Sequence, residues 1–552
     1  MALEIIFSEQ YSYVVQVFSS DMGDLGEATL LFGANHWPQL RFENWQTYSQ
    51  LGDGKKFDRL QAISKIGEKF TLFDCSVVGH HMSIDYVIAG DVKAKFKSIG
   101  IRFNDISEWF TPLRSIEEKI KSNLQDIDCN QNISATITSD EHTYNLFSEP
   151  VVRVKKSGED HIIHEHIVFT FELIDEFFSI KDIKKKSHEL ATLLSILAAI
   201  PIYLVSIQVV DNDNNKRHVF FPSIQKKEQS TLERTRLEYF TPKSLLDGRW
   251  QTIIENYYKS EFREILWVRL AGMQHYEGFW EYKALGYVSL LDKYVHQCTT
   301  EVKKKKAKSE DIKNTKFYTA LQAISPPLTA EQENSVFTVI TDFFMSSKKL
   351  SFQEKYDHVL KTIEPNILSI INLSNDDFRR IKKIRDAIAH GNPPELIETG
   401  NEKIDTIVSK IALLLTYWSL IDFGLTNDDF LACLRNHSQL HRRSDINRVE
   451  LARATKTAGF FNVSKEQFDN ISQKSGIKIN SCFWVDNNGF IEYTEEHVTA
   501  LKTWLDKGIS GIIPVAEIFG KSIEKIKIWD HAYIECDSER LELFHAYFID
   551  RA

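Results

Sequence analysis

The feature that most constrains this chain is a change of hydrophobic period partway along it. Up to about residue 180, segments such as YSYVVQVF, ATLLFG, KFTLFDCSVV, IDYVIAG and HIVFTFEL alternate or run apolar, with Gly, Asp and Asn between them. That is the pattern of strands joined by turns, and it predicts a sandwich-like or barrel-like antiparallel module. From about 245 to 430 apolar residues recur at three- and four-residue steps, which only helices satisfy. One chain with both periods is a multidomain α+β protein. The expected division is a strand-rich domain over 1–244, a helical bundle over 245–430 and a small α+β domain over 431–552. A length of 552 residues accommodates two to four domains.

The first module is expected to close with the 21-residue stretch Leu190–Val210, which contains no charge and is long enough to cross a bilayer. Pro201 divides it into an Ala/Leu-rich half and a β-branched half, so it reads as a buried helix followed by a buried strand, not as a membrane span. The N-terminus has Glu4 and no basic segment before an apolar run, unlike a signal peptide. Six widely scattered cysteines, none in a CxxC pair, fit reduced thiols in the cytoplasm.

Within the helical region, EFREILWVRLAGMQHYEGFWEYKALGYVSLLDKYVHQ predicts one long amphipathic helix or a broken pair. Further helices are expected over 329–346, 351–372, 376–390 and 402–423. In the last domain, ERLELFHAYFID reads as a helix and CFWVDNNGFIEYT as strands. Between the helices, Lys303–Lys316 holds seven lysines and no apolar period, the composition of a loop.

Metal and nucleotide motifs fail on spacing. His161, His164 and His166 have no Cys or carboxylate at matching spacing and read as surface residues. His437 and His441 lack the glutamate of a zinc protease; with Arg435, Arg442 and Arg443 they read as a solvated basic face or an RNA contact. Gly520-Lys521-Ser522 lacks the preceding glycine of a phosphate loop, since position 515 is Val. No metal and no cofactor is expected.

The segment that carries chemistry is Ser374–Pro394, SNDDFRRIKKIRDAIAHGNPP. Ser374 and Asp377 make a capping-box start, and Gly391 and Pro393 stop the helix after His390. Phe378, Ile381, Ile384 and Ile388 share one face. Arg379, Arg380, Lys382, Lys383 and Arg385 put five basic residues in seven positions of a chain whose net charge is −10. Nucleic-acid contact in such an acidic chain has to come from local patches of this kind.

RDAIAH, Arg385-Asp386-x-x-x-His390, resembles the R-[polar]-x-x-x-H signature of HEPN ribonucleases, helical bundles that build a metal-independent site from two subunits. The resemblance implies His390 as acid/base, Arg385 as phosphate stabiliser and Asp386 as the polar orienter. Asp386, one turn before His390, is placed to hold the imidazole. GEATLLFG, PQLRFENW, IGEKFTLFDCSVV and FNDISEWF resemble the N-terminal domain of the ApeA-like anti-phage abortive-infection family, whose activity is tRNA anticodon cleavage. Where HEPN relatives often carry an acid in the first long helix, this chain has Ala284-Leu285-Gly286.

The resemblance implies RNA, most specifically tRNA, as substrate and a homodimer as the working unit. It also implies a phage-encoded trigger, with the N-terminal module as sensor or restraint; the broken apolar run at Pro201 gives no expectation of a membrane. Geometry favours the dimer too. Arg385 and His390 lie about 140° apart on an ideal helix, and two copies across a twofold axis bring them together. The basic stripe, with Lys303, Lys304, Lys305 and Lys306, is the expected RNA-binding surface. The competing class is a non-catalytic HEPN scaffold that binds RNA and dimerises; the intact Arg385–His390 pair favours the enzyme.

Overall fold

The computed structural model describes residues 3–34, 36–43, 51–110, 133–139, 142–158, 160–174, 176–224, 239–302, 316–324, 327–346, 350–391, 401–436, 438–474, 476–486, 489–506 and 515–551. They form two compact units, Met1–Glu364 with Leu373–Asp445, and Pro365–Asn372 with Ile446–Ala552.

The first unit opens with six strands, β1 (Gln10–Ser19), β2 (Gly23–Gly33), β3 (His36–Phe42), β4 (Lys56–Ser64), β5 (Lys69–Val78) and β6 (His81–Ala89). They run in the order β3-β2-β1-β4-β5-β6, and β3 pairs back onto β6 through Gln39–Ser83 and Leu40–Met82. The circle closes, so none of the six is left as an open edge. Val15, Val17, Leu30, Phe32, Leu60, Leu72 and Ile84 fill the interior at alternate positions, as the period of two requires.

From β6 the same sheet continues through β12 (Lys216–Phe220), β11 (Leu204–Asp211), β7 (Phe96–Phe103), β10 (Asp160–Leu173), β9 (His142–Ser157) and β8 (Ser134–Ser139). Every pairing is antiparallel. The uncharged run is helix α1 (Ile180–Ala198) followed by strand β11, both largely buried. A Ser179–Asp182 capping box starts α1, and Ala199 in the left-handed region ends it just before Pro201.

The helical part contains α2 (Trp250–Lys259), α3 (Val268–Gln274), α4 (Trp280–Cys298), α5 (Ala330–Ser346) and α6 (Phe352–Leu360). After α7 (Pro365–Ile371), which belongs to the second unit, come α8 (Asn375–Ala389), α9 (Asn401–Asp422), α10 (Asn427–Leu434) and α11 (Gln439–Arg443). The predicted long helix is thus a broken pair, α3 and α4. Met273 of α3 lies against Gly286 of α4, where a Cβ would stand 2.5 Å from Met273 Sδ and the flexible thioether would have to move. The predicted helix over 351–372 also breaks, at Pro365, whose ring disfavours helical backbone in the residue before it.

A π-helical turn, Arg263–Trp267, leads into α3 and buries Trp267, whose indole donates to Asp422 Oδ2 at 2.6 Å. Tyr294 of α4 stacks on Trp418 of α9 at 4.3 Å between centroids. Residues Lys403–Asp422 of α9 are long and apolar enough to cross a membrane, yet 83% of that apolar window is buried inside the protein.

The second unit is built on a five-stranded sheet, β13 (Gly459–Asn462), β16 (Ile526–Cys536), β17 (Glu539–Asp550), β14 (Cys482–Val485) and β15 (Ile491–Tyr493), in that spatial order. Helices α12 (Arg448–Thr455), α13 (Lys465–Ser472), α14 (Glu495–Asp506) and α15 (Val515–Phe519) accompany it. The predicted helix ERLELFHAYFID is instead strand β17, paired antiparallel with β16 through a turn with Asp537 at positive φ. Leu541, Leu543, Ala546 and Phe548 are buried in the core beside Ile534 and Phe483. Leu and Glu favour a helix in isolation, but the alternating burial available in the sheet overrides that weak preference.

Candidate functional site

Helix α8 positions the chemistry-bearing residues. Ser374 Oγ accepts from the Asp377 amide at 3.1 Å, and the Asp377 carboxylate accepts from the Ser374 amide at 3.3 Å. That reciprocal cap fixes where the helix begins and so its register. Phe378, Ile381 and Ile384 are buried, while Ile388, in the last turn, is half-buried. Phe378 packs against Phe352 and Tyr356 of α6, with centroids 4.9 and 4.1 Å away. His390 is the C-cap, and Gly391 follows at φ +72°, a left-handed position that favours glycine.

Arg385 sits where three helices meet. Its side chain is only 22% exposed. Nη1 donates to Asp292 Oδ2 of α4 at 3.4 Å, and the guanidinium lies 5.2 Å from the centroid of the Phe352 ring on α6. Nε is 3.0 Å from Asp386 Oδ1, an ion pair without a hydrogen bond from that nitrogen among the described residues. Two carboxylates and an aromatic face therefore hold the guanidinium in place.

Asp386 lies against Arg385, not against the imidazole. His390 is exposed, and among the described residues its ring has no hydrogen-bond or ion-pair partner. The sequence-predicted trio is thus split: Arg385 and Asp386 touch, while His390 stands free at the helix end.

Asp292 is the residue that sequence reasoning missed. Position 285 and its neighbours lack an acid, but α4 supplies one about two turns later, 93 residues before the arginine it meets. A carboxylate inside the apolar run GYVSLLDKYV is the local signal. Its partner is visible only in the fold. One turn further along each helix, Lys355 Nζ of α6 stands 2.8 Å from His296 Nδ1 of α4.

The rest of the predicted basic stripe stays on α8. Arg379 is exposed and pairs with Asp376 at 3.2 Å; Lys383 is exposed, and Arg380 and Lys382 are half-buried. Lys303, Lys304, Lys305 and Lys306 lie outside the described residues, as do His437 and the side chains of His161 and His164. His166 and His441 are buried, not on the surface the sequence suggested for them. His166 is covered although it alternates with the core-facing Ile167 and Phe169 of β10, and His441 is covered within the short helix α11. Among the described residues no three His, Cys, Asp or Glu side chains gather as metal ligands. Cys75, Cys433, Cys482 and Cys536 are buried thiols and Cys298 an exposed one, all unbridged.

Two family models match the chain. ApeA N-terminal domain 1 covers residues 23–257, from β2 of the barrel through its extension and into α2. Apea-like HEPN covers residues 285–429, which include Asp292, Phe352 and the whole of α8. No curated protein and no solved structure matches. A barrel-bearing module of the first family joined to a helical bundle of the second, with RDAIAH at the end of the bundle's capped helix, makes this chain a member of the ApeA-like HEPN proteins.

Proposed function

We propose that this protein is a metal-independent endoribonuclease of anti-phage abortive infection, acting in the cytoplasm as a homodimer on the anticodon loop of tRNA. The family is one of anti-phage HEPN nucleases. The observation that carries the reading is the contrast between the two motif residues. Arg385 is packed among Asp292, Asp386 and Phe352, while His390 is exposed at the end of the same helix. A fixed guanidinium suits a phosphate undergoing substitution, and a free imidazole suits proton transfer.

RNA supplies its own nucleophile. The 2′-OH gives its proton to a base and attacks phosphorus, the P–O5′ bond breaks, and the departing 5′-oxygen takes up a proton. The products are a 2′,3′-cyclic phosphate and a 5′-OH. Arg385 stabilises the extra negative charge on the phosphorane oxygens, and His390 moves protons, a role worth about 10²–10⁴-fold. One acid and one base are both needed. His390 from each of two copies meets that need, and HEPN domains typically dimerise.

In this reading the barrel-bearing module is the sensor or restraint on which a phage-encoded trigger acts. The second reading, a non-catalytic RNA-binding scaffold, rests on the absence of a contact between His390 and either Arg385 or Asp386 within one chain. Sequencing of RNA ends after induction separates the two. The nuclease yields new 5′-OH ends within tRNA anticodon loops, and these vanish in His390→Ala. Induction that leaves RNA ends unchanged rejects the enzyme in favour of the scaffold.

A further inference from the structure

Beside Arg385 lies a second pair of basic side chains that the HEPN motif does not include. Lys355 Nζ and His296 Nδ1 are 2.8 Å apart. A lysine ammonium has donors only, so Nδ1 is the acceptor and the neutral ring carries its proton on Nε2. Nε2–H and the remaining ammonium protons are left to donate outward. His296 is exposed and Lys355 half-buried, and among the described residues no carboxylate pairs with either. A half-buried lysine bonded to a histidine, with no carboxylate beside it among the described residues, leaves a local positive charge available to an anion.

The packing gives the direction from Arg385 in which that anion would lie. Phe352 touches both Arg385 and Phe378, while Tyr356 stacks on Phe378. Passing from Phe352 to Tyr356 along α6 therefore leads from Arg385 toward the start of α8. Lys355 is three residues beyond Phe352, and His296 is four beyond Asp292, so their pair is displaced from Arg385 in that same direction. His390 lies the opposite way, five residues past Arg385. Half-buried Lys382, one turn before Arg385, falls on the same side as the pair.

We infer that Lys355 and His296 bind an RNA backbone phosphate adjacent to the scissile one, so that the strand runs along α8 with the cut between Arg385 and His390. The offset is about one helical turn, about 5.4 Å, comparable with the step between successive phosphates of a single strand. This rests on the nuclease reading and adds a substrate-positioning role that the motif residues do not supply.

The test is binding and turnover measured separately on the full chain. In a His390→Ala background, which leaves the RNA uncut, a labelled single-stranded RNA is titrated at several salt concentrations. Lys355→Met keeps the apolar stem and should weaken binding about tenfold. It should also reduce the slope of log K against log salt by about 0.7, the value for one phosphate contact on a single strand. Lys355→Arg should restore both. In the otherwise unaltered protein, Lys355→Met should raise KM with kcat within about twofold. Unchanged slope and KM, in a protein that cuts RNA, overturn the subsite and leave the nuclease standing. A Lys355-dependent slope in a protein that never cuts RNA overturns the nuclease and, with it, the placing beside a scissile phosphate, leaving Lys355 as a backbone contact alone.

Discussion

Arg385 and His390 share a helix but not an environment, and truncating them should cost different things. His390→Ala should abolish cleavage and leave stability within about 0.5 kcal/mol, since the side chain is exposed. Arg385→Ala should abolish cleavage and also cost about 1–2 kcal/mol, because it removes the stack on Phe352 and leaves Asp292 without its cation. Urea unfolding beside a cleavage assay checks both; equal stability of the two variants would contradict the packing of Arg385. Asp292→Asn keeps a hydrogen-bond acceptor but loses the charge. It should lower kcat about tenfold with KM little changed, the mark of a positioning residue. On sequence alone both motif side chains lie off the apolar stripe of α8; that Arg385 is mostly buried is decided by α4 and α6.

At the scale of elements, the sheet of the second unit turns on a charged cluster. Glu535 of β16 is 10% exposed and accepts from Arg453 Nη2 of α12 at 2.8 Å and from Arg540 Nε of β17 at 2.7 Å. Burial alone would raise its carboxyl, but the two arginines outweigh that and hold it below its ordinary value of 4.5. A depressed carboxylate contributes stability above its unfolded pKa and loses it as pH falls through the folded one. Glu535→Gln should therefore destabilise this unit by about 1–3 kcal/mol at neutral pH. The gap to the unaltered protein should hold down to about pH 5 and shrink below 4.5. A gap that is independent of pH would mean Glu535 acts through shape and not charge. β17 reads as a helix from sequence for a related reason: its helix-favouring composition is outvoted by pairing with a strand whose cluster of contacts is not local.

For the whole molecule, the predictions concern substrate and metal. Cleavage should survive EDTA, because 2′-OH attack with histidine and arginine needs no metal-bound water. Loss with chelator and return with Mg²⁺ would contradict that chemistry. Purified protein should cut loops in total tRNA and spare a perfect RNA duplex, whose A-form geometry keeps the 2′-OH out of line with the phosphate. DNA should be inert, having no such nucleophile, and binding should weaken steeply with salt. Mapped cut ends on the three substrates decide it; duplex or DNA cut as readily as tRNA would rule the mechanism out.

Sequence by itself determined the change of period, hence strands first and helices after, because alternation and three-to-four spacing are local properties. It also determined the capped helix ending at His390, since a capping box and a Gly stop act within one turn. What needed the tertiary structure was everything non-local: the β3–β6 pairing that closes the barrel, and the assignment of α7 to the second unit despite its place in the helical stretch. The same holds at the site. Asp292, Phe352, Lys355 and His296 are read as ordinary helix positions until folding brings α4 and α6 against α8, because side-chain contacts over tens of residues leave no periodic trace in a single chain.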